Sequence, residues 1–410
     1  MMACTSAIND TAQIGSNDDN ETVVPSVAND WGVEVVQSDP RLLDGSILLD
    51  PTTIHHFAIE LEDTAVNSLN SDPRTYVAAT LIGHRQRLQV GMRLKGNSTY
   101  RDLSGKPSFK INFDYVNDDQ VLYGLENLNF HANVLDASML HEHLAFYIYR
   151  NAGLAAARTG WATIEINGTD YGLYGLSEVQ DQVFLDQWWD DSSGSVFESG
   201  SFEGSCDFND SGCDCFEQDH EGDGDTNEDL QALCNAANAS DDWYHGIQEF
   251  IDWTPWLRTM AMDMILAHWD NYGFNINNYR IYHEPSQERW YFTSWSTDLA
   301  FGWNPWGGAY CGEYGTWPAD HRQGMLLSRC WSDANCKSDL LNEMEEMISR
   351  FENMGLVEEI QRVYSLIQTD AHSDPRHAYS TAQFDSEFAC MESWVQTRPD
   401  AIRSFISSQR

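Results

Sequence analysis

The stretch His268-Trp269-Asp270-Asn271-Tyr272-Gly273-Phe274-Asn275, followed later by Thr297-Asp298-Leu299-Ala300-Phe301-Gly302, holds the residues best suited to chemistry. An Asp, an Asn five residues on and a second Asp beyond a short strand–turn–strand have the types and order that hold metal ions on a nucleotide during phosphoryl transfer. That reaction needs hard oxygen ligands for magnesium and a carboxylate near the attacking hydroxyl. Asp270 is the candidate for the carboxylate, and Asp298 and Asn275 for the metal ligands. The spacing alone is weak evidence, because Asp and Asn gather at many helix ends. Its weight comes from what lies upstream.

There, Arg93-Leu94-Lys95-Gly96-Asn97-Ser98-Thr99-Tyr100 precedes Gly105-Lys106-Pro107-Ser108-Phe109-Lys110. A strand ending in Gly96, Asn97 and Ser98 offers closely spaced backbone N–H groups and hydroxyls that can cradle phosphates. Lys106 or Lys110 on the next strand could then reach the α/β-phosphates as a point charge. The competing reading is an ordinary hairpin with exposed basic residues. Against it, five of the 23 Lys and Arg fall between Arg93 and Lys110, and so acidic a chain has few cations to spare. Glu142 lies on the next helix, where a partner for that lysine would sit, although a solvated helix-surface acid would look the same. His131, His141 and His143 fit no usual metal-ligand spacing and read as structural or surface residues. Glu178 lies where the backbone of a hinge would meet an adenine.

These parts need positioning elements. A strand-like pattern runs over Val33–Glu62, as in His56–Leu61, and strand character follows through Tyr76–Ile82, Leu88–Leu94 and Ser108–Phe113, with breaks at Gly83-His84 and across Gly96–Pro107. Asp136 reads as the N-cap of a helix over 137–151. Strands Trp161–Ile166 and Tyr171–Leu176 flank Asn167-Gly168, a strong hairpin signal, and a helix over Val179–Trp189 follows. Beyond Asp242 the pattern is largely helical, with helices expected over 243–253, 255–269, 340–351, 356–367 and 384–407. The fold class is α+β: residues 1–28 form a flexible segment, 29–178 a β-rich N-lobe and 179–410 a mainly helical C-lobe. Residues 191–235 read as a Cys/Asp-rich insert, in which Asp219–Asp229 alternates oxygen ligands as a calcium loop does but lacks the full register.

Composition narrows the class. A chain of 410 residues with 12% aromatics and 15 Trp can bury a large core. A formal charge of −41 excludes nucleic-acid binding through a broad basic surface and docking on anionic membranes. It suits a solvated surface in salty or calcium-rich surroundings, or attraction of basic protein substrates. Nine cysteines, eight of them after Cys4, read as a disulfide framework and an oxidising compartment. A metal site around Cys213-Asp214-Cys215 is the weaker alternative, because CxxC pairs are absent. No run is long enough to span a membrane, and no apolar h-region precedes residue 25: either a signal peptide has been replaced by an initiator Met or Cys4 is the remnant of a lipid-anchor site.

With its parts in this order, the chain resembles the CotH kinase family over roughly residues 54–410. The resemblance rests on Arg93–Phe113, Leu128–Leu154, Asn167–Leu185, Asp270–Tyr282 and Trp295–Gly302. It implies an atypical, two-lobed protein-kinase-like fold that binds ATP with Mg²⁺ or Mn²⁺ and phosphorylates Ser or Thr of secreted or coat proteins, as a secreted or surface-associated enzyme for which a monomer is favoured. Carried over by position, Lys106 matches the phosphate-binding lysine, Glu142 its partner, Asp270 the catalytic-loop Asp and Asp298 the metal-binding Asp. Asn275 fits the second metal ligand by spacing, and Asn278, paired with Tyr279, fits it by the family block. Lys95 stands where the family often has Arg, and Ser296 where many members carry a further Asp. A non-catalytic adhesion module with calcium-binding loops is the alternative on the same fold.

Overall fold

The computed structural model describes residues 27–28, 34–35, 43–199, 206–209, 213–222, 227–302, 311–312 and 317–410. The expectations for residues 1–26, Cys4 among them, lie outside the described residues. Strands Val27–Ala28 (β1) and Glu34–Val35 (β2) form a short antiparallel pair. A closed barrel follows, built from Ile54–Glu60 (β3), Val77–Gly83 (β4), Gln86–Lys95 (β5), Ser108–Asn112 (β6), Asn127–His131 (β7), Thr159–Ile166 (β8) and Thr169–Glu178 (β9), with helix Asp63–Ser71 (α1) after β3. It closes through the parallel pair β3·β8.

Period-two alternation decides what this barrel presents to each side. Val90, Met92 and Leu94 of β5, Phe109 and Ile111 of β6, and Leu128 and Phe130 of β7 fill the interior. Phe109 stacks on Phe130 with ring centroids 4.6 Å apart. The opposite faces of the same strands therefore turn Arg93, Lys95, Ser108, Lys110, Asn129 and His131 outward. Register lines them up: Arg93 lies opposite Lys110, Lys95 opposite Ser108, and Lys110 opposite Asn129. The Asn167-Gly168 hairpin forms as expected, both residues taking positive φ (48° and 74°).

Beyond the barrel come His141–Asn151 (α2), Gln182–Trp188 (α3), Val196–Ser199 (β10), Phe216–His220 (β11), Asn227–Asn238 (α4), Trp243–Gly246 (α5) and Trp253–Ile265 (α6). Then follow Tyr279–Glu284 (β12), Arg289–Ser294 (β13), Met325–Ser332 (α7), Ala334–Glu352 (α8), Leu356–Ser373 (α9) and Thr381–Gln409 (α10). The four strands β11-β10-β12-β13 make one antiparallel sheet. The larger hydrophobic core runs from α2 through α6 to α10, and α6 is buried on nearly every side.

The mixed α+β architecture, sheet-rich first and helical later, is as the sequence indicates. Several elements differ. Strand β7 was not expected, because Asn127-Leu128-Asn129-Phe130-His131 alternates too briefly to stand out. The stretch 191–235 is not a self-contained loop region: β10 and β11 pair into the sheet with β12 and β13, and α4 buries Leu230, Leu233, Cys234 and Ala237. Helix α2 begins at His141, and Asp136 serves it from a preceding turn, accepting from His141 N (2.7 Å) and Ser138 N (2.9 Å). Although its sequence position is in the N-lobe, α2 packs into the larger core, as do Trp161 and Leu173 of the barrel. Eight cysteines pair as Cys206–Cys215, Cys213–Cys234, Cys311–Cys390 and Cys330–Cys336, which disposes of a thiolate site at Cys213 and Cys215.

Candidate active site

The outward face of β5–β7 and the start of β12 with its neighbouring loop enclose a cleft of about 440 Å³. Arg93, Lys95 and Lys110 line it from the barrel, and Asp270, Asn278, Arg280, Trp295 and Asp298 from β12 and the loops before β12 and after β13. The chain enters at Gly96, whose φ of +100° turns it out of β5 at little cost only because no Cβ is present. Asn97, Ser98 and Thr99 of that turn also line the cleft, and Arg74 donates to the Gly96 carbonyl, pinning the turn.

Asp270 and Asp298, twenty-eight positions apart in the chain, face the same space. Burial pushes the Asp298 carboxyl up to about 6, Asp270 and Asp136 adding to the effect and Ser296 opposing it. Burial also raises Asp270, against three amides: Asn275 and Asn277 donate to Oδ1 (2.7 and 3.1 Å) and Asn278 to Oδ2 (2.8 Å). Two buried carboxylates in one cleft, the charge of Asp270 raising Asp298, favour a shared cation. Among the described residues no three His, Cys, Asp or Glu side chains converge as a closed metal site. An open site with few protein ligands fits Mg²⁺, which keeps waters and phosphate oxygens in its shell. Asn278 lines the cleft, whereas Asn275 is solvent-exposed and does not.

Lys106 is elsewhere. Its Nζ lies 2.6 Å from Asp374 Oδ2 and 2.6 Å from the Leu173 carbonyl oxygen, with both side chains of the ion pair buried. It does not line the cleft. The expectation failed because Lys106 precedes Pro107 and β6, so the alternation that turns Ser108 and Lys110 outward does not extend back to it. Lys95, at the last position of β5, lines the cleft together with Lys110. Its Nζ lies 3.2 Å from Asn129 Oδ1, 3.1 Å from His131 Nε2 and 4.9 Å from the Trp295 ring centroid. Burial lowers its ammonium, Lys110, Arg93 and Arg280 add to this and Glu142 opposes it.

Glu142, in the first turn of α2, is buried, and desolvation together with Asp298 raises its carboxyl against Lys95. His131 stands between the two: Nε2 faces Lys95, and Nδ1 lies 3.4 Å from Glu142 Oε2. Burial and Lys95 hold this imidazole well below its ordinary range, so it is neutral, accepting from Lys95 and turning Nδ1–H to Glu142. His131 therefore belongs to the cleft. His141 and His143 are structural, as the sequence suggests. Burial opposes charge on His141, but Asp136 and Glu387 outweigh it and raise the imidazole to about 9. It then donates from Nε2 to Glu387 (3.0 Å) and from Nδ1 to the Asp298 carbonyl oxygen (3.2 Å). His143 contacts Glu359 at 2.8 Å.

The Glu178 side chain does not face the cleft. It pairs with Arg158 and accepts from Gln187, while Val179 is the neighbour that lines the cavity. Asp219, the first oxygen of the supposed calcium loop, lies 2.9 Å from Arg280 Nη2, and residues 223–226 of that loop are outside the described residues. Sequence reasoning also missed Arg280, Trp295 and Arg74. The first two flank recognised residues and could have been found from the outward parity of β12 and the start of the Asp298 turn. Arg74 carries no local signal.

Comparison with known proteins points to one family. The family model for the CotH kinase protein matches residues 92–402. The protein named Invasin CotH2, from Rhizopus delemar, is 22% identical over 265 residues, 58% of this chain and 43% of that protein. The chain thus spans less than half the length of this curated relative. A solved structure described as a Helicobacter pylori proinflammatory kinase CtkA aligns over 73% of this chain and 93% of its own, at 10% identity and a TM-score of 0.29. That score is too low to carry a structural argument.

Proposed function

Since the chain belongs to the CotH kinase family and its cleft is kinase-like, we propose that it is an ATP-dependent phosphotransferase acting on Ser or Thr hydroxyls of a protein acceptor. The observation that supports this most is the meeting of Asp270 and Asp298 with Lys95 in one cleft. Lys95 takes the phosphate-binding role for which Lys106 was the sequence candidate, with Glu142 and His131 orienting it. Arg93, Lys110 and the Gly96-Asn97-Ser98 turn add cationic and N–H groups around the phosphate chain.

Asp298 and Asn278, with Asp270 nearby, are the residues that would hold magnesium, whose chemistry is to neutralise charge on the phosphate oxygens. In this reading Asp270 orients the acceptor hydroxyl and takes its proton, which the Asn amides that fix its carboxylate support. Little covalent work falls to the protein, so positioning and electrostatics carry the rate. Incubation with γ-labelled ATP, Mg²⁺ or Mn²⁺ and a basic Ser-rich peptide should give label on the peptide or the chain itself, and none with Asp298→Asn. Label transfer by that variant at the wild-type rate would refute the proposal.

The disulfides and the name of the Rhizopus relative support a secreted or surface location. That name, invasin, also supports a second reading in which the fold serves contact with another cell and the acidic surface does the binding. Stabilisation by nucleotide with Mg²⁺ separates the two, since a pure adhesin gains none.

A further inference from the structure

Arg280, on β12 two residues after Asn278, is unusual among the cleft cations. It is 4% exposed and lines the cavity. Its Nη2 is held by Glu198 at 3.0 Å and Asp219 at 2.9 Å. Its guanidinium carbon lies 4.3 Å from the centroid of the Trp295 ring, the ring that Lys95 also approaches. Yet Nε and Nη1 have no hydrogen-bond partner among the described residues. A buried guanidinium with two unused donor nitrogens loses the hydration of those donors without compensation. Such a deficit is kept where a ligand removes it. The two carboxylates that hold Nη2 are 26% and 34% exposed, so either can return to water when a stronger anion arrives.

From this geometry we infer that Arg280 is an anion-receiving group of the cleft, giving its free N–H donors to the β- or γ-phosphate oxygens of the bound nucleotide. The inference rests on the nucleotide reading above. Glu198 and Asp219 then act as place-holders: they keep the guanidinium aimed at the cavity and compete with phosphate for it. Trp295 fixes the plane of the guanidinium by stacking.

The test measures binding of AMP, ADP and ATP, each with Mg²⁺, to the full chain by calorimetry. Wild type is compared with Arg280→Met, with the Glu198→Gln/Asp219→Asn double variant and with the triple variant combining them. Arg280→Met should weaken ATP at least 10-fold and AMP less than 2-fold. The double variant should bind ATP several-fold tighter than wild type. The triple variant leaves no carboxylate of the pair unpartnered, so it keeps the test valid if Arg280→Met fails to fold, and it should bind ATP at least 10-fold more weakly than the double variant. Equal ATP affinity in the double and triple variants would overturn the inference. So would unchanged nucleotide affinity with a raised KM for an acidic peptide, which would assign Arg280 to the acceptor instead. Absence of ATP binding by wild type would instead bring down the nucleotide reading itself.

Discussion

Lys95 and Lys106 are the same chemical group, eleven positions apart, and the fold sends them to opposite fates. Lys95 ends a strand whose outward face roofs the cleft, and it meets polar neutral groups and a ring: Asn129, His131 and Trp295. Lys106 sits in the turn before β6 and is sealed against Asp374, at the end of α9. The seal is close: a Cβ on Gly172, which has φ +77°, would come within 2.0 Å of the Asp374 carboxyl. Arg376 completes the contact by donating to the Ser104 carbonyl oxygen at 3.1 Å. An ammonium whose charge is already matched by a buried carboxylate is structural. One left with neutral neighbours and other cations nearby is available to a phosphate. Lys95 is thus held for a ligand and Lys106 for the fold.

The contrast can be broken by substitution. The largest expected effect is on Asp298, whose charge reaches the Lys95 network through Glu142: Asp298→Asn should lower phosphate transfer by 10³-fold or more. The same variant should stabilise the metal-free protein at pH 7. The folded carboxyl is raised to about 6 from 3.8, so its ionised form costs stability above the folded value, and the cost vanishes below the unfolded one. The gain at pH 7 is roughly 3 kcal/mol at most, shrinking to about 0.5 kcal/mol near pH 4, as denaturant titration at the two pH values would show. Transfer by wild type should correspondingly decline as pH falls through about 6.

Next come the lysines themselves. Lys95→Met should reduce kcat/KM by 10²-fold or more with stability within 1 kcal/mol of wild type. Lys106→Met should do the reverse, costing about 3–5 kcal/mol by leaving Asp374 buried and unpaired, with activity per folded molecule nearly intact. Gly172→Ala should destabilise in the same way by steric clash, by at least 1 kcal/mol. Smallest is the contrast between the two amides: Asn278→Ala should lower transfer at least 10-fold and Asn275→Ala less than 3-fold. Equal losses would return the metal-ligand role to both.

Much of the cleft was legible before the fold was known. The acids at Asp270 and Asp298 stand out because short connections place them around one β-hairpin, and Arg93, Lys95 and Lys110 because alternation in β5 and β6 forces them to one face. Glu142 is legible as a helix residue, although its partner is not. Lys106 was misread because the family order of lysine before strand carries no information on where a pre-strand turn points, and its partner Asp374 is 268 residues away in sequence. Long-range pairs of this kind leave no local pattern, and the same holds for His141 with Glu387 and Arg280 with Asp219. Strand β10 was hidden for another reason: it lies within a Gly- and Asp-rich stretch, where composition outweighs a four-residue strand.

Labelling by an acyl-phosphate derivative of ATP, with the modified lysine located by mass spectrometry, tests the central claim most directly. The lowered ammonium of Lys95 makes it a ready nucleophile, so it should be acylated and be protected by excess Mg-ATP, while Lys106, paired with Asp374, stays unmodified throughout. Labelling of Lys106, or of Lys95 without protection by nucleotide, would contradict the assignment of this cleft to ATP.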